Sequence, residues 1–405
     1  MADERGKGSR AQAFSPWWLL LWALGSLGAM VLFRNDVLET QGLFIEEGFL
    51  WGRDFLNVWT GGRIAIDDVL ERLYDIAAYQ EYQRAVAGPV GPHNYSYPPS
   101  SLFLAAPLAL LPYGLSLAAW TLGTAALFLI AARPYVRAVP GFPLVLALLT
   151  PAATINLWAG HYGFLTGALW LACFARAGPA PVSAGLFAMI LTVKPHLGLL
   201  LPPLLALRGA WRTVAVAGLG VVLLVAASGI LFGWGLWHDY LFKMSAFQAA
   251  LMDTGEGFFF KMMPTVFPAA RTAGLAAPAA WALQAVSAAL ATFLCWRAVR
   301  SGASLRALAF PAATATFLIL PYAFNYDMTV VSLGVALLLL RDWQALGAGD
   351  RAIAIAAFLA PQLGLLLADE ARLVVPAILL AFLHLQVRRC AAAANEPLPP
   401  EAASA

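Results

Sequence analysis

In a chain where only 12% of residues are Asp, Glu, Lys or Arg, a charged side chain set in an apolar stretch is a chemical signal. Lys194 is such a residue, lying between the short apolar segments 180–193 and 195–207. A cation at that depth costs about 3 kcal/mol unless it is paired, so it reads first as the partner of an anion. The bland alternative is a lysine whose stem is buried and whose head snorkels to the interface. Asp54 is the second signal. It precedes the aromatic and glycine-rich run Phe55-Leu56-Asn57-Val58-Trp59-Thr60-Gly61-Gly62 and has Arg53 and Arg63 nearby. A lone carboxylate among cations reads as a proton acceptor beside an anion site. Lys243, Lys261, His161 and His196 are further groups able to meet an anion, against the simpler reading of histidines that pack at helix ends. Tyr97, Asn325 and Asp327 complete the polar set, with Asp327 placed to position a cation.

The elements that must hold these residues are membrane helices. The 405 residues are 61% hydrophobic with a mean hydropathy of +0.74, outside the range of water-soluble domains. Twelve apolar segments are long enough to cross the bilayer or nearly so: 17–33, 114–132, 141–158, 161–176, 180–193, 195–207, 212–234, 274–297, 307–322, 327–340, 352–368 and 373–388. Pro99–Leu111 is too short and too rich in proline to count as a span and reads as re-entrant or interfacial. With that choice Arg133, Arg137, Arg176, Arg208, Arg297, Arg341 and Arg388 fall on the side of the basic N-terminus, as the positive-inside bias requires. Both termini are then cytoplasmic. The acids, among them Asp36, Glu46, Glu47, Asp67, Asp75, Asp239 and Glu256, fall on the outer face.

The expected fold is all-α: one polytopic bundle over 16–389, after a cytoplasmic tail at 1–15 and before a disordered tail at 390–405. Within the bundle, 34–98 and 235–272 are long extracytoplasmic loops, and 99–112 is the re-entrant or interfacial piece. In the first loop, Ile64 to Val86 carries an apolar stripe opposite Asp67, Asp68, Glu71 and Asp75, which predicts one amphipathic helix lying along the membrane. The net charge of +3 is spread thinly, so nucleic acid is not an expected partner. The three cysteines sit at no ligand-like spacing, and no metal site is expected from them.

Several short motifs share an order along the chain: Asp54-Phe55, Gly61-Gly62-Arg63, Leu73-Tyr74-Asp75, Tyr97-Pro98-Pro99, Pro107 to Pro112, Trp120, Asn156, Gly160-His161, Lys194-Pro195, Trp211-Arg212 and Pro321-Tyr322 to Tyr326-Asp327. Over roughly residues 50–340 this order resembles glycosyltransferase family 87, membrane enzymes of the GT-C type that use polyprenyl-phosphate sugars. His161 departs from the glutamine common at that place, and Asn325 from a histidine. The resemblance implies an inverting hexosyltransferase, with mannose the first sugar to consider, acting in the cytoplasmic membrane on its outer face. It implies Asp54 as general base, Lys194, Arg63 and His196 on the donor phosphate, and Tyr97, Asn57, His161, Asn325 and Asp327 around sugar or acceptor.

That chemistry fits one carboxylate. A phosphate monoester leaves as a stable anion, so no general acid is needed, unlike the paired carboxylates of a glycosidase. The partners expected are a lipid-linked donor, a glycolipid or glycan acceptor and membrane lipids. No resident cofactor is expected, although loop carboxylates leave a divalent ion open. The rival class is a transporter or flippase, which would gather its polar groups at the bilayer midplane and relate its halves by a repeat. No such repeat is evident, and the span interiors carry almost no charge.

Overall fold

The computed structural model describes residues 16–45, 48–137, 139, 141–254 and 257–395. The N-terminal basic residues, Glu46, Glu47, Glu256 and the tail from 396 lie outside the described residues.

The chain begins with helix α1 (Pro16–Glu39) and a small antiparallel sheet, β1 (Thr40–Gln41), β2 (Phe44–Ile45) and β3 (Phe49–Leu50), in the order β1-β2-β3. Then come α2 (Phe55–Ile66), α3 (Ile76–Ala87), α4 (Leu102–Ala109), α5 (Tyr113–Val136), α6 (Pro151–Ala159), α7 (Gly163–Arg176), α8 (Pro181–Ile190), α9 (Leu201–Leu207) and α10 (Trp211–Phe232). After it run the short helices α11 (Trp234–Asp239), α12 (Ser245–Thr254), α13 (Phe258–Lys261) and α14 (Val266–Thr272). The chain closes with α15 (Ala277–Arg300), α16 (Leu305–Ile319), α17 (Thr329–Asp342), α18 (Ala348–Leu366) and α19 (Val374–Asn395).

Among the described residues, six helices are long and apolar enough to cross a membrane: Trp17–Glu39, Tyr113–Val136, Trp211–Phe232, Ala277–Arg300, Ala348–Leu366 and Asp369–Ala392. The other apolar segments are shorter or broken helices packed among them, and the protein is a polytopic helical membrane protein. Burial sorts them. Helix α10 is mostly uncovered, with Leu219, Val222, Leu223 and Ile230 exposed, as a lipid-facing helix must be. Helix α17 is buried nearly all round, from Thr329 to Leu339, as a helix apolar on every side requires. It lies against α6, α7, α16 and α18, so the loop that precedes it is held at the centre of the molecule.

Two expectations change. The single amphipathic helix over Ile64–Val86 is instead two helices: α2 begins at Phe55 and ends at Ile66, and α3 starts after a turn, capped by Asp75 accepting from the Ala78 N–H at 3.0 Å. The reason is packing. A β-carbon at Gly61 would overlap the Tyr95 ring, and one at Gly62 the Ala105 carbonyl, so Gly61 lets α2 take the Tyr95 ring against it and Gly62 lets α2 lie directly on α4. Gly62→Ala should therefore lower stability by about 1–3 kcal/mol through overpacking. Gly123→Ala, on an open face of α5 with nothing near its β-carbon position, should raise it by up to about 1 kcal/mol through helix propensity. Thermal unfolding of the purified variants in one detergent measures both. Pro99–Leu111, expected to be re-entrant or interfacial, forms a short turn and α4 with Pro107 inside it. The second change is at the C-terminus, where the alanine-rich stretch after Cys390 continues α19 to Asn395.

Candidate active site

Two backbone junctions bring the chemical residues together. The first joins Asp54 to the end of α6. Helix α6 terminates at Gly160 in the left-handed conformation, φ +63°, with its N–H bonded to the Asn156 carbonyl at 2.9 Å. A side chain here would be strained by that φ and would strike the Gly52 backbone. The absence of one lets the Gly52–Asp54 turn sit on α6, where the Asp54 N–H donates to the Ala159 carbonyl at 3.0 Å. Trp120 fixes the same junction from α5, its indole N–H 2.9 Å from the Gly160 carbonyl. His161, next in sequence, is thereby carried toward Asp54.

The second junction is the helix break at Lys194-Pro195. The ring of Pro195 bars its predecessor from helical geometry, and Lys194 adopts φ −129°, ψ 78°. Its side chain therefore leaves the α8–α9 path and runs inward. The ammonium meets both Asp327 carboxylate oxygens, at 2.8 and 2.7 Å, and lies 3.3 Å from His161 Nδ1. This pair is almost fully dry, with side chains 6% and 0% exposed.

Between the junctions lies a cavity of about 440 Å³. Asp54, Asn57, Tyr97, His161, Lys194 and His196 line it. Among the described residues nothing donates a hydrogen bond to the Asp54 side chain, and burial raises its pKa above the ordinary carboxylate value, opposed by the positive groups His93, Lys194 and Arg53. It is a partly exposed carboxylate with its lone pairs free. Asn57 is held by Tyr79, whose hydroxyl donates to Asn57 Oδ1 at 2.9 Å.

Other residues singled out in the sequence stand elsewhere. Arg63 faces away from the cavity, its guanidinium on Asp67 at 2.7 Å one helical turn on; the i,i+4 spacing on α2 makes that pairing. Asp327 stands behind Lys194 as its counter-ion rather than on the cavity wall. Asn325 is buried, its amide donating to the Pro361 carbonyl at 3.0 Å. Lys243 pairs with Asp239 at 2.8 Å, and Lys261 reaches Asp369 at 3.8 Å.

Arg53 stands on the cavity wall, where Arg63 does not. It lines the cavity beside Asp54 with a positive φ of 31°, a strained conformation for a residue with a side chain. Its guanidinium lies over the rings of Phe49 and Trp158 at 4.6 and 4.5 Å and is paired with buried Asp36. Trp158 bonds the same carboxylate, indole to Asp36 Oδ2, at 2.9 Å. Adjacency to Asp54 was visible in the sequence; the partner, at the far end of α1, was not. His93 also lines the cavity. Much of the remaining wall is apolar, including Phe247, Leu251, Phe259 and Met262, with Asn94, Ser96 and Gln248 among it.

A bundle of membrane helices enclosing a cavity with one free carboxylate, a set of cations and an apolar wall has the layout of a membrane-embedded group-transfer enzyme. The sequence profile of glycosyltransferase family 87 matches residues 95–321, more than half of the chain, and the protein belongs to that family: it is a membrane glycosyltransferase. Tyr97, His161, Lys194 and His196 fall inside the matched region, and Asp54 and Asp327 outside it. No curated protein and no solved structure matches the chain.

Proposed function

We propose that the protein transfers a hexose, mannose foremost, from a polyprenyl monophosphate donor to a hydroxyl of a glycolipid or glycan acceptor at the outer face of the cytoplasmic membrane. The observation that carries this reading is the meeting of free Asp54 and the buried Lys194 in one cavity with an apolar wall. A lipid-linked substrate needs such a wall for its chain and positive potential for its phosphate.

In this reading the acceptor hydroxyl gives its proton to Asp54 as its oxygen bonds to the anomeric carbon. The bond from that carbon to the phosphate oxygen breaks, the electron pair stays on the phosphate, and the polyprenyl phosphate departs. Attack opposite the leaving group inverts the anomeric carbon. The raised pKa of Asp54 makes it a stronger base than an exposed carboxylate. Positive charge from Arg53 and Lys194 favours the departing phosphate. The convergence of polar groups on a single cavity favours a transferase over a carrier.

Purified protein given radiolabelled polyprenyl-phosphate mannose and a membrane lipid extract should label a lipid or glycan product and release polyprenyl phosphate. Absence of product with mannose and with other polyprenyl-phosphate sugars would remove this reading. The side of the membrane is tested separately. Cysteine introduced at exposed Glu71 should react with an impermeant maleimide in intact cells, whereas the native Cys173, Cys295 and Cys390 are buried and should stay silent. Protection of position 71 until the cells are opened would place the loop inside.

A further inference from the structure

His161 sits between two donors and a hydroxyl, and that arrangement fixes where every proton lies. The Tyr162 backbone N–H points at His161 Nδ1 from 2.7 Å, and the Lys194 ammonium lies 3.3 Å from the same atom. Neither group can accept a hydrogen bond. Nδ1 must therefore be bare, and the ring proton sits on Nε2, which lies 2.9 Å from the Tyr97 hydroxyl oxygen. Tyr97 accepts that bond, so its own hydrogen is left for another acceptor. Among the described residues none takes it. Tyr97 lines the cavity, and its ring is held by Tyr95 and Tyr162, with centroids at 5.2 and 4.7 Å. The ring of His161 is held in turn by Tyr326, stacked at 4.2 Å.

We propose that Tyr97 is the hydrogen-bond donor to a phosphate oxygen of the lipid-linked donor, and that His161 and Lys194 are positioning residues that preset its hydroxyl for that task. This deepens the transferase reading and rests on it. A preset donor suits an anionic oxygen, which only accepts; a sugar hydroxyl does both and needs no preset. Successive hydrogen bonds from Lys194 through His161 to Tyr97 polarise one another, so part of the positive character of a dry ammonium is expressed at the cavity surface. Asp327 holds that ammonium from behind. Burial pushes the Tyr97 phenol well above its ordinary pKa, so it keeps its proton throughout.

The test is equilibrium binding of geranyl phosphate and geraniol to the purified full-length protein, followed by calorimetry. Wild type should prefer the phosphate over the alcohol. Tyr97→Phe keeps the ring and removes the hydroxyl; it should weaken geranyl phosphate by about tenfold or more, the usual scale for a hydrogen bond to a charged group, and leave geraniol unchanged. His161→Leu should do the same. His161→Gln, whose amide oxygen can face Lys194 and the Tyr162 N–H while its NH₂ faces Tyr97, should restore the phosphate preference.

Undiminished phosphate preference in Tyr97→Phe would overturn the assignment of Tyr97. Equal weakening of both ligands would also overturn it, by showing a packing role. Failure of His161→Gln to restore what His161→Leu loses would overturn the positioning role. A wild type that does not distinguish phosphate from alcohol would instead remove the lipid-phosphate reading itself.

Discussion

Asp54→Asn should abolish most transfer, with turnover falling by about 10²–10⁴-fold, the range for losing a general base. The isosteric amide keeps the shape of the turn and cannot take the acceptor proton. The junction with α6 should survive, because Asp54 holds it through its backbone N–H on the Ala159 carbonyl at 3.0 Å and not through its side chain. Donor binding should change little, so the loss should appear in kcat rather than in KM for the donor.

Stability should move the other way. The pKa of Asp54 is raised by burial, so the folded protein binds this proton more tightly than the unfolded chain, and stability falls as the pH rises from the ordinary carboxylate value through the folded pKa, above which the full cost of the buried charge remains. The neutral amide removes that burden. Asp54→Asn should unfold at or above the wild-type temperature at neutral pH. The same shift sets the acid limb of the wild-type pH profile: activity needs the ionised carboxylate, so it should fall away as the pH drops through a value above 3.8, the ordinary carboxylate pKa. Transfer by Asp54→Asn at the wild-type rate, or an acid limb at or below the ordinary carboxylate value, would remove Asp54 as the base.

Lys194→Met should be the most damaging single change to stability. It leaves the carboxylate of Asp327, 0% exposed, with no cation, and breaking a buried pair from one side costs about 3–5 kcal/mol. Lys194→Met combined with Asp327→Leu should recover much of that stability, since an apolar pair of similar volume replaces both charges. It should not recover activity, because the Lys194 charge at the cavity is gone. Thermal unfolding and transfer assays on the single and double variants separate the two effects. Equal stability of Lys194→Met and the double variant would mean that the pair is not coupled in the fold.

Composition alone determined the solvent of this protein: the scarcity of charge and the length of the apolar runs leave no soluble fold. The sequence also marked two of the residues that meet in the cavity. Lys194 and Asp54 stood out because charges are expensive beside apolar segments, and Lys194-Pro195 showed the break because proline constrains its predecessor whatever the context. These are local effects and can be read locally.

Tertiary packing decided the rest. The Gly61-Gly62 pair looked like the end of an aromatic run and is instead the middle of α2, since only the position of Tyr95 and Ala105 shows why no side chain fits there. Arg63 and Arg53 flank Asp54 in the sequence alike, but one helical turn directs Arg63 to Asp67 while the strained turn at Arg53 places its guanidinium on the cavity wall. The Lys194–Asp327 pair spans 133 residues, and the Tyr97–His161 bond 64. Spacing carries no information at such separations. A charge announces that it needs a partner because desolvation is a property of the residue itself; which partner it receives is a property of where the helices cross.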